Sequence, residues 1–432
     1  MNKKKINQIF EYLFPIARSI TGQGYKDSLN YIKKFIPLKL YNYRSGKKIF
    51  DWTIPKEWLI KDAYIEYNNK HIVDFKENNL HVVNYSHQID KTMSLKNLKK
   101  NIFYIKKFPK LIPYVTSYYK KTWGFCLSYN QFKSLKKGNY KVKIDTKFIN
   151  GNVTNGLAIL KGKSNKICLI SSYMCHPSMA NNELSGPLGL LILYNKIKKW
   201  KDRNLTYYFL LNPETIGSIS FIGQFQKLLK QKLYSGLVLT CLGGPKKKIS
   251  YKLSRSGNSP LDKVMIYYNK KKLINIRNFD PLDGSDERQY CSGKFNLPVG
   301  QIARTIYGTY NQYHTSGDNK RFMNINKVIK SANIIEKILL KNDQTKMIYR
   351  YQPNCELQLG KRNLYPNLNF ASSKKSNNQM NSKNFKIMIT ILSYADGKHN
   401  IYDIERLTKF KLEEINKVLN FLIKKKLIYL KI

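Results

Sequence analysis

ICLISSY (Ile167 to Tyr173), TYYFLL (Thr206 to Leu211) and GLVLTC (Gly236 to Cys241) are three short apolar runs. Between them lie GPLGLLILYNKIKK (Gly186 to Lys199) and SISFIGQFQKLLK (Ser218 to Lys230), whose apolar residues recur at helical spacing. Runs this short and apolar throughout are strands buried on both faces. Their alternation with helices predicts an α/β fold: a mixed, mainly parallel sheet flanked by helices.

Outward from this core the pattern changes twice. The first 35 residues carry Ile6, Ile9, Phe10, Leu13, Phe14 and Ala17, then Leu29, Ile32 and Phe35, which fits two helices. From Tyr41 onward, short β-like pieces such as Ala63 to Tyr67 and Leu80 to Tyr85 are broken by Gly46, Pro55 and Asn-rich turns, as in a separate β-rich module. A polar Ser/Asn/Lys stretch at 367–384 reads as a linker. After it, Phe385 to Tyr394, Ile401 to Leu407 and Leu412 to Lys425 form three helical patterns and Leu427 to Ile432 a strand, which suits a winged helix. The expected division is 1–40 with 125–366 as the α/β domain, 41–124 as the insert and 385–432 as the winged helix.

The chain of 432 residues has 77 Lys+Arg against 27 Asp+Glu, a net charge of +50. The lysine runs are spread over the whole length and accompany abundant Asn and Ile. That is the drift of an AT-rich genome rather than a phosphate-binding face, so nucleic acid is not the expected partner. In the winged helix, Lys409, Lys411, Lys417 and Lys424 to Lys426 are interrupted by Glu405, Glu413 and Glu414, which favours protein contact or homo-oligomer formation over DNA. No run approaches the ~18 apolar residues of a membrane span, and the Met-Asn-Lys-Lys-Lys start leads into no apolar signal core. Six cysteines without a Cys-x-x-Cys pair argue against a zinc ribbon or a disulfide framework. A cytoplasmic protein with reduced thiols is expected.

In open α/β sheets, chemistry collects beyond the carboxyl ends of the strands. His176 follows the strand ending at Tyr173, and Asn182 and Glu183 come shortly after it. Glu214 follows the strand ending at Leu211, Asp286 lies in Gly284 to Tyr290, and His314 lies in Tyr313 to Asp318. Two histidines with two or three carboxylates match the inventory of catalytic zinc, which takes about three protein ligands and a carboxylate to accept a proton from water. Taken singly, each is as readily a satisfied polar residue.

These segments, with Arg18-Ser19-Ile20-Thr21-Gly22, Phe50 to Pro55, Glu57-Trp58 and Leu80 to Tyr85, resemble the bacterial aminopeptidase-like proteins of the DUF4910 type. In that family a catalytic domain similar to the zinc aminopeptidases of the M28 class carries an inserted DUF2172 β-rich domain and a C-terminal winged helix. The resemblance implies that His176 and His314 are zinc ligands and that Asn182 stands where an aspartate bridges two zincs. Pro213-Glu214 stands where the relatives have paired glutamates, one a base and one a ligand. Thr240-Cys241 replaces a further aspartate ligand. Asp286 resembles an aspartate that supports the ligands from behind, with Glu287 in place of a histidine.

One zinc is therefore expected rather than two, held by His176, His314 and a carboxylate, with Glu183 able to substitute for the lost aspartate. Glu214 is then the third ligand or the general base, and Tyr310, with Tyr307 and Tyr313, a candidate to stabilise the oxyanion. The implied activity is metal-assisted hydrolysis of an amide bond in a peptide or aminoacyl substrate. Two other classes remain: a substrate-binding protein of polysaccharide assembly with a weakened site, and a regulator acting through the winged helix. Trp52, Trp58 and Tyr64 of the insert are core residues or a docking surface.

Overall fold

The structure is a computed structural model that describes residues 1–365 and 382–432; the expected linker lies, up to residue 381, outside the described residues. Two compact units divide the chain, Met1–Ile338 and Leu339–Ile432.

An eight-stranded sheet organises the first unit, in the order 39–44, 152–160, 206–212, 167–173, 233–239, 299–303, 250–252, 275–277. The four strands 206–212, 167–173, 233–239 and 299–303 run parallel to one another; 39–44 pairs antiparallel with 152–160, which pairs antiparallel with 206–212, and 250–252 pairs antiparallel with 299–303 and parallel with 275–277. All seven residues of Ile167–Tyr173 are buried, because helices cover both faces of the sheet. Truncating Ile170 to Ala at its centre would cost about 2–5 kcal/mol. The parallel arrangement brings the carboxyl ends of these strands to one edge.

The insert has a four-stranded antiparallel sheet in the order 70–74, 57–67, 139–149, 89–94. Strand Asn139–Ile149 pairs with both 57–67 and 89–94, so sheet membership runs past the boundary placed at residue 124. An alternating strand carries no mark of which sheet it joins. Trp58 is core, its indole N–H donating to Ser86 O at 2.9 Å, and Tyr64 is buried too, whereas Trp52 is 37% exposed.

In the second unit, helices Ser382–Ser393, Ile401–Thr408 and Leu412–Lys424 enclose Ile387, Ile391, Ile404, Ile415, Leu419 and Leu422; Leu407 stands exposed. Its three-stranded sheet, ordered 396–400, 347–350, 428–431, includes Met347–Arg350 from before the expected linker. Among the described residues, no helix is long and apolar enough to cross a membrane. No disulfide joins the six cysteines among the described residues, and all but Cys355 are buried.

Candidate metal centre

The loop beyond Tyr173 is shaped by unusual backbone. Ser178 is left-handed (φ 43°), and Ala180–Leu184 then forms a single π-turn of five buried residues before the helix at Ser185. Such widened turns aim side chains that an α-turn would hide. Asp318 pins this one, accepting from Asn181 N at 2.6 Å and Asn182 N at 2.8 Å. Gly186 is required where the turn meets the sheet, since a Cβ there would lie 2.3 Å from Ser172 Oγ and 2.5 Å from Leu239 O. Thr215, Cys241 and His314 are also left-handed, so four non-glycine outliers ring one strand edge, as at functional sites.

His176, 4% exposed, is the hub. Its Nδ1 lies 2.5 Å from Glu183 Oε2, and its Nε2 lies 3.6 Å from Glu214 Oε2. The His314 ring centre is 5.4 Å from that of His176. Burial is the largest influence on His176 and opposes its charge, yet Glu183, Tyr114 and Cys175 together outweigh it and hold the imidazole well above its ordinary pKa. Burial, with His176 nearby, pushes His314 down to about 3, so it is a neutral imidazole. Burial raises Glu214, while His176 and a 2.6 Å bond from Ser285 Oγ pull the other way.

The residues fit a metal ion. Two imidazoles on one tetrahedral ion at about 2.0–2.1 Å stand about 5 Å apart centre to centre, and nitrogen and oxygen donors on such an ion about 3.3 Å apart. The observed 5.4 Å and 3.6 Å are close to both. By distance alone the tightest group of ligand-type atoms is Cys175, His176 and Glu183, all within 4.8 Å of one another. That group lies on the Nδ1 side of His176, whose nitrogen is already committed to Glu183. The free face is Nε2, toward Glu214. Glu183 Oε1 is buried without a hydrogen-bond partner, an acceptor still to be satisfied.

The other expected residues sit nearby with different tasks. Asn182 turns away from His176: its Oδ1 accepts from Tyr173 OH at 3.3 Å and faces Cys241 Sγ at 3.8 Å. Asp286 accepts from Asn212 Nδ2 (2.7 Å), Thr215 N (2.7 Å) and Ser218 Oγ (2.9 Å), which fixes the turn bearing Glu214; burial lifts its pKa to about 7. The Tyr310 hydroxyl is engaged by Asp318 Oδ2 at 3.3 Å and Cys241 Sγ at 3.7 Å. Glu287 forms a buried ion pair with Lys252 at 2.6 Å.

Sequence reasoning gave no role to three groups found here. Arg18 is 1% exposed and donates from Nε to His176 O at 3.2 Å, adding positive charge behind Glu183. Cys175 Sγ accepts from Glu214 N at 3.3 Å. Tyr114, from the insert, sets its ring 5.0 Å from that of His176 and 5.3 Å from that of His314. Arg18 lies in a quoted motif and Cys175 directly precedes His176; nothing in the sequence points Tyr114 at the histidines.

Comparison with known proteins agrees with this fold. The profile described as "Domain of unknown function (DUF4910)" matches residues 7–344, and a winged helix-turn-helix profile matches 346–429. A Clostridium acetobutylicum protein named "Putative polysaccharide biosynthesis protein with aminopeptidase-like domain" is 39% identical over 408 residues, 93% of this chain and 90% of its own. The crystal structure of a "putative peptidase" from Clostridium acetobutylicum superposes with a TM-score of 0.81 at 35% identity, covering 99% of this chain and 96% of that one. BSAP, a zinc aminopeptidase from Bacillus subtilis, shares the fold at a TM-score of 0.58 and 12% identity, over 78% of this chain and 93% of its own. Matched across its first 344 residues by the profile and nearly end to end by the relative, the chain belongs to the DUF4910 family.

Proposed function

We propose that this protein is a zinc-dependent hydrolase of amide bonds, aminopeptidase-like in its site, with one ion per chain. The observation that carries the reading is that His176 Nε2 lies 3.6 Å from Glu214 Oε2 while the His314 ring lies 5.4 Å from that of His176. His176 and His314 would hold the ion with Glu214 as the adjoining carboxylate. Bound zinc supplies a Lewis acid that polarises a carbonyl and lowers the pKa of water to about 7.

The chain's own groups do the rest. Glu183 fixes the His176 ring through Nδ1, as carboxylates behind ligating histidines do. Ser285 holds Glu214 Oε1, leaving Oε2 to face the site. Raised by burial, Glu214 is suited to take a proton and return it to the leaving amine. Asp286 keeps the Glu214 turn in place, and Tyr310 serves the Asp318 turn rather than the substrate.

A second reading, a substrate-binding protein in polysaccharide biosynthesis, is favoured by Asn182 in the place of a bridging aspartate and by the relative's name. Metal content of protein purified without added zinc, together with amine release from aminoacyl amides, separates the two. Stoichiometric zinc and turnover abolished by Glu214→Gln support the hydrolase; a zinc-bearing chain without turnover on any such substrate supports the binding protein.

A further inference from the structure

The insert reaches the strand edge at two places. Residues 112–114 lie antiparallel to residues 314–316: Ser316 N donates to Ile112 O at 2.8 Å, Tyr114 N donates to His314 O at 2.8 Å, and Pro113 and Thr315 bridge between them. Ile112 N adds a bond to Ser316 Oγ at 3.0 Å. A two-stranded clamp thus grips the main chain of His314, whose left-handed backbone (φ 51°) is one that non-glycine residues keep only under external constraint.

On the other side, Asn79 Nδ2 donates to Ser178 Oγ at 3.0 Å, and Asn84 Nδ2 to Arg18 O at 3.2 Å; Arg18 in turn holds His176 O. Between these braces the Tyr114 ring is edge-on to both imidazoles, at 60° to His176 and 85° to His314. Each histidine is therefore fixed through a separate path into the insert, and Tyr114 packs against both, the three ring centres standing 5.0–5.4 Å apart.

We infer that the insert is a working part of the metal site, with Tyr114 the positioning residue that sets the two histidines for one ion. This rests on the metal reading above. A ring locked before the ion arrives loses less freedom on binding, so the ion binds more tightly. By reciprocity, the ion must also stabilise the clamp.

Zinc affinity measured by competition with a chromophoric chelator tests it. Tyr114→Ala should weaken zinc about 10- to 100-fold, the scale seen when groups behind metal ligands are removed. Tyr114→Phe, which keeps the ring, should bind zinc as the wild type does. If the alanine chain does not fold, Tyr114→Leu takes its place, since it fills space without a flat ring and should also bind weakly. Hydrogen exchange reads the reverse direction: zinc should slow the amides of residues 112–118 in the wild type but not in His314→Ala.

A purely structural tyrosine would lower the melting temperature of the metal-free chain and leave zinc affinity and zinc-dependent exchange unchanged, which would overturn the inference. Phenylalanine as weak as alanine would overturn it as well. A wild-type chain that takes up no zinc would fail this inference together with the metal reading, whereas one that binds zinc regardless of residue 114 would fail the inference alone.

Discussion

Replacing Glu183 by Gln separates a carboxylate that orients a ligand from one that is a ligand. The residue is fully buried and 2.5 Å from His176 Nδ1. Glutamine has the same shape, and its amide oxygen can accept the same N–H. What disappears is the charge. A hydrogen bond to a charged partner is worth about 1.5–3 kcal/mol against about 0.5–1.5 for a neutral pair, so the hold on the ring weakens by about 1–1.5 kcal/mol. Passed to the metal through the imidazole, that is about a tenfold loss of zinc affinity, at the lower end of what such supporting groups contribute. The assay is competition with a chelator, run beside Glu214→Gln. Loss of zinc beyond about a thousandfold on Glu183→Gln would refute the orienting role, because removing a coordinating anion costs far more than removing a buttress. An unchanged affinity would show that the charge is not felt at Nε2 at all.

Three further outcomes are expected. Although burial opposes it, Glu183, Tyr114 and Cys175 raise the His176 pKa above its ordinary value, so zinc uptake should release a proton from the metal-free imidazole, and affinity should fall as pH drops. Calorimetry in buffers of different ionisation enthalpy reads the proton, and zinc binding without proton release would count against the arrangement. Asp318→Asn leaves one acceptor for the two N–H groups of Asn181 and Asn182, so it should cost about 1–3 kcal/mol in a thermal melt, and an unchanged melting temperature would deny that Asp318 pins the turn. Ending the chain after Gln344, which keeps helix Ile325–Gln344 whole, should preserve zinc stoichiometry and turnover, since every site residue lies between Arg18 and Asp318; zinc loss from a folded truncation would overturn that.

The α/β core was legible because parallel strands, buried on both faces, are written as continuous apolar runs such as Ile167 to Tyr173. The histidines were legible because the carboxyl ends of parallel strands meet on one edge, which joins His176 to His314 across a long sequence separation. Orientation was not legible. Whether Glu183 faces the Nδ1 or the Nε2 side of His176 is decided by a π-turn held by Asp318, and no local pattern announces that turn. Nor could the sequence give the pairing of 112–114 with 314–316, since three irregular residues carry no periodicity. The same limit hid strand Met347–Arg350, whose partners lie beyond the expected linker.

The departures from paired-zinc chemistry make sense together as charge accounting. The side-chain oxygen of Asn182 faces neutral groups, Tyr173 OH and Cys241 Sγ; Tyr173 OH lies 2.6 Å from Thr240 Oγ1, and Cys241 Sγ sits against the Tyr310 hydroxyl. An aspartate at 182 without an ion beside it would be an isolated buried anion, costly unless paired. Asparagine removes that charge while its oxygen still accepts from Tyr173. Glu183, one residue on and as deeply buried, has His176 Nδ1 at 2.5 Å and the Arg18 guanidinium nearby. At the Thr240–Cys241 end the nearby carboxylate is Asp318, already engaged by Asn181 N, Asn182 N and the Tyr310 hydroxyl. The carboxylates beside His176 are Glu183 and Glu214, one on each side of its ring, the arrangement that the proposed single ion on the Nε2 side would use.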